Sequence, residues 1–554
     1  MFKKSQPNPQ IDLFSGMNSL LSKKARKRME DPKGWNNLFR QHVVASMDEE
    51  PFRILFDGTG TGAPNSPIRL LVGMMILKES LSYSDKQLFE QCEYNLLFRS
   101  TLGLMNLDEP VPAESTYYLL RQRIYEHERA TGVNLFDFVF KQVTQKQVHE
   151  FNVNGKLIRM DSKLIGSNIA WFSRYEVIHE TLRKFCEALD ESDLRKKMGR
   201  NDREDLKTLL SEEGEKVVYR STKEEVQSRM QTLGLLIYRL LRAVKDNPYR
   251  EILERVFTEQ FQRVDGGVEP RNKAEINSNS VQSPHDPDCS YRNKRDQSVK
   301  GYSVNITETC SKDQLNLITD VQVERATVPD NGYVQEAIAE TQQVTEQEVK
   351  QVFCDGAYHS VSNQEYSNEN NIDLVLTGIQ GAVPRYDPEM TPEGLRVTDR
   401  HTGDIQIATK SRSKKNERWR INHENGYRYF TPEEIKTADL RRLLLNRPNE
   451  ELRIRNNVEA TIFQLSYPLR NNKTRYRGLF KQRAWAQCRC MWVNLVRIKN
   501  LIESTYQRTQ NLALQAIQTV FPSDFSVGKS VLNRTFGIFS KWAPDQLCVR
   551  EISF

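Results

Sequence analysis

The chain has 554 residues, a formal net charge of +7 and 38% hydrophobic residues. That length predicts three or four domains around a large buried core, and it excludes a small disulfide-stapled scaffold. No apolar run approaches the ~18 residues a membrane span needs, and the start Met1-Phe2-Lys3-Lys4 lacks a signal peptide's apolar core, so a cytoplasmic protein without a membrane partner is expected.

Residues 1–50 are polar and carry the cluster Lys23-Lys24-Ala25-Arg26-Lys27-Arg28, which either grips phosphates or forms a solvated helix face. Over 67–127 apolar residues recur at helical spacing: Ile68, Leu71, Met74 and Leu77, then Leu88, Leu96 and Leu97, then Tyr118, Leu119 and Ile124. Ser82 and Ser84 precede helical runs as N-caps do. An all-α N-terminal domain over 1–150 is predicted.

The character changes at Asn154-Gly155. A strand is predicted over 157–160 with Asp161 just after it, followed by a charged helical insertion over 173–270 that shows no strand signal as far as Val264. Strands resume over 301–309, where Tyr302, Val304 and Ile306 alternate with polar residues, and over 315–323. Then come a helix over 332–348, a strand over 349–354, a helix opened by the capping-box pattern Ser362-Asn363-Gln364-Glu365, and a strand over 373–377.

Three strands able to form an antiparallel meander, then alternating helices and strands, describe a mixed α/β sheet flanked by helices. Asp161 and Asp355 then follow the first and fourth strands, which this topology places side by side. The sheet domain is expected from 151–172, 271–384 and 446–510. A turn-rich β insertion over 385–445, containing Thr402-Gly403-Asp404 and Gly426-Tyr427-Arg428-Tyr429, reads as small hairpins. Residues 511–554 form a C-terminal tail.

Each of three acids has an ordinary explanation. Asp161 can cap a helix, Asp355-Gly356 is a hairpin-turn signal, and Glu459 pairs with Arg455 at i, i+4 beside the stripe Val458, Ile462 and Leu465. A fold that brings these carboxylates from separate segments to one sheet edge would make a two-metal phosphodiester site. Between residues 453 and 499 eleven Lys or Arg accompany a single acid, Glu459, so this segment is suited to a polyanion. Arg455, Arg475, Arg477 and Lys481 are its candidate DNA contacts. Lys163 and Tyr358, close in sequence to the two aspartates, are candidate phosphate contacts or supports behind the carboxylates.

Competing motifs fail. Gly528-Lys529-Ser530 has Ser523 where a phosphate loop needs its first glycine, and Gly58-Thr59-Gly60-Thr61-Gly62 lacks the dinucleotide spacing. The eight cysteines include no CxxC pair, and Cys488 and Cys490 alternate with Trp485 and Trp492 as buried thiols do. The histidines lack paired-ligand spacing, and Pro284-His285-Asp286-Pro287-Asp288 reads as a flexible turn.

A set of stretches carries a family resemblance. They are Pro67 to Arg123 (with Leu81-Ser82-Tyr83-Ser84-Asp85-Lys86-Gln87, Leu102-Gly103-Leu104 and Pro112-Ala113-Glu114-Ser115-Thr116), Met160-Asp161-Ser162, Gly301-Tyr302-Ser303-Val304, Cys354-Asp355-Gly356-Ala357-Tyr358, Arg455-Asn456-Asn457-Val458-Glu459, and Tyr476-Arg477-Gly478-Leu479. With these the chain resembles bacterial insertion-sequence transposases of the DDE type that have an InsH-like helical N-terminal domain. The resemblance implies a ribonuclease H-like catalytic domain with Asp161, Asp355 and Glu459 as its catalytic and metal-holding triad, and two magnesium or manganese ions. It implies cleavage at the ends of a mobile element, bound by the N-terminal domain, and strand transfer into target DNA. The expected partners are double-stranded DNA and, at synapsis, a second copy of the chain, at the nucleoid. The related signature Tyr-x2-Arg-x3-Glu-x6-Lys keeps Arg455 and Glu459, but Leu452 and Ser466 stand at its Tyr and Lys places. Two other readings stay open: an inactive, domesticated DNA-binding relative, and a nuclease that only hydrolyses DNA.

Overall fold

A computed structural model describes residues 2–5, 16–56, 63–265, 267–294, 297–379, 381–411, 417–423 and 426–520. The glycine-rich loop 58–62 and Gly528-Lys529-Ser530 lie outside them. Among the described residues no helix is long and apolar enough to cross a membrane.

The N-terminal region is helical. Lys23–Met29 is a short helix whose basic residues are exposed. Ile68–Leu81 is apolar nearly all round, which is the pattern of a core helix, and every residue from Leu70 to Ser80 is buried. Ser84 caps the next helix, Asp85–Tyr94, in a capping box with Gln87. Ser82 does not play the expected N-cap role. It ends the preceding helix in the left-handed region, at φ 59°. The helices Glu114–Thr131 and Leu135–Glu150 complete the region.

The central sheet is mixed. Its strands, with a separate small hairpin, are β1 (Leu157–Gly166), β2 (Phe261–Val264), β3 (Gly267–Pro270), β4 (Ser290–Lys294), β5 (Gln297–Thr309), β6 (Ile318–Arg325), β7 (Gln351–Cys354) and β8 (Asp373–Leu376). β5 pairs antiparallel with β1, β4 and β6, β1 pairs parallel with β7, and β7 pairs parallel with β8. β2 and β3 pair only with each other. Antiparallel strands first and parallel crossovers after are what the sequence order predicts. Gly301 is required where β1 and β5 cross closely, since a Cβ there would lie 2.0 Å from the Ile165 carbonyl oxygen.

Both faces of the sheet are covered. Ile158, Met160, Val352, Cys354 and Leu374 pack beneath the helix Val334–Thr345 through Val334, Ala337 and Ile338. On the other side Ile165, Val304, Ile306, Val321 and Val323 share one core with the N-terminal helices and with Trp485, Cys488 and Met491 of the helix Leu479–Val520. Burying each such side chain is worth about 1.5–3 kcal/mol. The cysteines at 488 and 490 are buried thiols, as their spacing predicts.

Six helices between Arg174 and Gln260 form a cluster with its own core of Phe185, Leu233, Ile237, Leu240, Leu253 and Val256. The β2–β3 hairpin packs against it through Phe261 and Val268, so a strand does occur at 261–264, where none was expected. The later insertion is a five-stranded antiparallel sheet of β9 (Tyr386–Thr391), β10 (Gly394–Asp399), β11 (Ile405–Lys410), β12 (Trp419–His423) and β13 (Gly426–Phe430). Leu395, Val397, Ile421 and Phe430 face Ile435 of the following helix, Pro432–Leu445.

Three further expectations are corrected. β1 does not end before Asp161 but runs on to Gly166, because β5 is long enough to pair with it residue by residue as far as Gly301. The helix Val361–Glu369 is capped by Ser360, whose Oγ accepts from Asn363 N at 3.1 Å, rather than by Ser362. The 284–288 turn is packed inside: Asp286 is fully buried and accepts from Tyr302 Oη at 2.5 Å and from Ser167 Oγ.

Candidate active site

Two neighbouring parallel strands supply the aspartates. In β1, Arg159 lies beside Phe353 of β7, so Asp161 two positions on and Asp355 just past β7 reach the same edge. Asp161 faces Ile306 of β5 across the ladder, inside the strand rather than after it. Asp355 leaves β7 and caps a single helical turn, its Oδ1 accepting from Ala357 N at 2.7 Å. Gly356 is needed here because a Cβ would lie 2.5 Å from the Gly378 carbonyl oxygen.

The third acid arrives on the helix Asn457–Ser466, which packs on β1 through its buried side, Val458, Thr461, Ile462 and Leu465. Glu459 lies on the outer side with its side chain 62% exposed. Arg455, just ahead of that helix, joins the acids: Nη2 donates to Asp161 Oδ2 at 2.6 Å and Nη1 donates to Glu459 Oε1 at 2.9 Å. The expected i, i+4 pair is therefore present, and the same guanidinium also holds an aspartate 294 residues away.

Electrostatics tie Asp355 to the group. Burial pushes the Asp161 carboxyl above the usual carboxylate range, Arg455 pulls it back, and the charge of Asp355 adds to the rise. Burial works against the charge on Arg455, but Asp161, Asp355 and Glu459 outweigh it and raise its pKa. All three carboxylates thus act on one arginine.

The remaining predicted residues are placed unequally. Lys163 projects from β1 and donates to Ser466 Oγ at 2.8 Å, and burial lowers its pKa. An ammonium group from β1 therefore meets the side chain at the signature's lysine place. Leu452, at the tyrosine place, packs against Cys310, Phe353 and Val375. Tyr358 is fully buried and donates to Asn305 Oδ1 at 2.7 Å, so it supports the sheet and cannot contact a phosphate directly. Arg475, Arg477 and Lys481 are exposed. Arg475 Nη1 donates to the Tyr83 carbonyl and Arg477 Nε to the Asn168 carbonyl, each at 2.6 Å.

Sequence reasoning missed Glu308 and Arg159. Glu308 lies fully buried on β5 and accepts from Arg159 Nε at 2.7 Å. The only trace of this in the sequence is a charged residue at each of two strand positions.

Three oxygen-donor acids at one edge are the donor chemistry that magnesium or manganese takes. Among the described residues no three His, Cys, Asp or Glu side chains are grouped closely enough to hold a metal ion. The Arg455 guanidinium bridges Asp161 and Glu459 and balances their charge. The residues therefore fit a divalent cation by type, in an arrangement closed around an arginine.

No curated protein and no solved structure matches the chain. Residues 29–123, in the helical N-terminal region, match a family described as Transposase domain (DUF772). That match supports a transposase kind of activity for the protein.

Proposed function

We propose that the protein is a DDE-type transposase with a ribonuclease H-like catalytic domain, which cuts DNA at the ends of a mobile element and joins them to target DNA. The observation that carries the reading is the bridge that Arg455 makes between Asp161, within β1, and Glu459, beside the end of β7 where Asp355 follows. The mixed sheet, with an antiparallel β6–β5–β1 run and a parallel β1–β7–β8 run, supports the catalytic-domain assignment.

Asp161, Asp355 and Glu459 would hold two magnesium or manganese ions, which when bound supply Lewis acidity at the attacking and leaving oxygens. The chain's own residues do the rest. Arg455 releases its carboxylates and turns its planar fork to a phosphate, a geometry lysine cannot reproduce. Lys163 places a positive charge beside the helix of Glu459, and exposed Arg475, Arg477 and Lys481 follow the DNA backbone. The helical N-terminal region binds the element ends, and two copies of the chain hold two ends at the nucleoid.

A labelled duplex of the DNA flanking the coding sequence, incubated with protein and magnesium, tests this. Nicking by wild type and at least a hundredfold loss in Asp355→Asn, with duplex binding retained, is expected. Binding without any nicking by wild type would leave the inactive DNA-binding reading in its place. Nicking without joining of the cut end to a second duplex would leave the hydrolytic one.

A further inference from the structure

Four elements meet at one buried carboxylate. Glu308 of β5 lies opposite Arg159 of β1, and none of its side chain is exposed. Its Oε1 accepts from Arg159 Nε, and its Oε2 accepts from Thr461 Oγ1 and from Arg497 Nη2, all at 2.7 Å. Arg159 Nη1 also donates to the Ile454 carbonyl at 3.1 Å, and Arg497 Nη1 to the Asn316 carbonyl at 3.1 Å.

The placement of these partners is what matters. Arg159 is two positions before Asp161 on β1, so the two side chains share a face of the strand. Thr461 is two positions after Glu459, on the buried side of the same helix. Ile454 adjoins Arg455. Every group that bonds Glu308, except Arg497, is thus within two residues of a member of the candidate site.

We infer that Glu308 is a positioning residue, a buried hub that sets the register of the helix Asn457–Ser466 on β1 so that Arg455 and Glu459 stand over Asp161. The inference rests on reading the three acids as a metal site. An ion pair is a costly way to hold two elements together, because apolar side chains of similar volume do so without desolvating charge. What the hub adds is direction. The planar fork of Arg159 spans the Glu308 carboxylate and the Ile454 carbonyl at once, which fixes the turn ahead of Glu459 relative to β5. An apolar contact would let that turn slide.

Manganese binding to the full-length protein, followed by loss of the free-ion paramagnetic resonance signal, tests the role without DNA or turnover. Circular dichroism and a melting curve establish that each variant is folded. Asp355→Asn should lose binding. Glu308→Gln and Thr461→Val should bind about 10- to 100-fold more weakly than wild type, the range for residues that orient metal ligands. Thr461→Ser keeps the hydroxyl and should bind as wild type does. If Glu308→Gln does not fold, the Thr461 pair decides. Wild-type affinity in folded Thr461→Val, or equal weakening in Thr461→Ser, overturns the positioning role while Asp355→Asn still upholds the metal site. Equal binding by wild type and Asp355→Asn overturns the metal-site reading, and the positioning role falls with it.

Discussion

Arg455 satisfies two carboxylates, yet its buried Nε has no hydrogen-bond partner among the described residues. A lysine there keeps the charge but can bridge the acids only as a point donor. Arg455→Lys is therefore expected to lower nicking by about 10- to 100-fold, the worth of one lost charge-assisted bond, read by initial rates on the flanking duplex. A second residue makes a prediction about pH. Asp320 on β6 is buried and its pKa is pushed up to about 7, chiefly by burial, with Gln322 pulling it down and Glu336, Glu340 and Asp137 adding to the rise. A folded-state pKa above the unfolded one contributes stability in full at low pH that is lost as pH rises through about 7. Asp320→Asn should thus raise the melting temperature at pH 8 and bring no gain at pH 4. Asp161 and Asp355 could be found in the sequence because each ends or punctuates an apolar run. Glu308 and Asp320 could not. Tyr302, Val304 and Ile306 alternate with polar residues as in a half-exposed strand, but Ser303, Asn305, Thr307 and Glu308 are also wholly buried. Alternation reports polarity, and only tertiary packing decides whether the polar face is wet.

At the scale of the element, the turn after β7 is sensitive to a single methyl group. Gly356→Ala would drive a Cβ against the Gly378 carbonyl, so the Asp355 turn and the chain after β8 must separate. The expected cost is about 1–3 kcal/mol of stability, with a loss of nicking greater than in an equally destabilised core variant. Comparing melting curves with rates at a temperature where both variants are folded checks this. Element types were legible in the sequence because their periods differ. Element ends were less so. The apolar run Leu157–Met160 points to a strand that stops before Asp161, whereas the strand's length is set by pairing with β5, up to Gly166 opposite Gly301. Likewise Ser360 rather than Ser362 caps its helix, since the helix starts as soon as the chain leaves the turn after Asp355.

For the whole molecule, separate cores define what can be tested as parts. The six-helix insertion and its hairpin bury Leu233, Ile237, Leu253 and Phe261 in a cluster distinct from that of the sheet. A fragment spanning residues 172–283 is expected to fold alone and melt cooperatively by circular dichroism; a featureless melt would show that its core depends on the sheet. The N-terminal helices differ, because their core runs on into the sheet and the long helix through Trp485 and Met491. Arg489 strengthens that junction by donating to the Ser80 carbonyl at the end of one helix and to the Gln464 carbonyl near the end of the Glu459 helix, each at 2.6 Å. On the proposed function, duplex affinity should fall by about a thousandfold or more between 50 and 200 mM salt if six or more phosphates are contacted. A flat response in a filter-binding titration would remove the basic segment from the interface.

The order in which the parts are made carries its own consequence. Asp161 and Asp355 leave the ribosome early, but Glu459 comes after both insertions, and Arg497, which bonds Glu308, lies well inside the final described helix. A chain that ends between Asp355 and Arg455 holds the two aspartates without the arginine and glutamate, and one that ends before the final described helix still lacks Arg497, which bonds Glu308. On the proposed function, nearly the whole protein must therefore be synthesised before the constellation is complete enough to act on DNA.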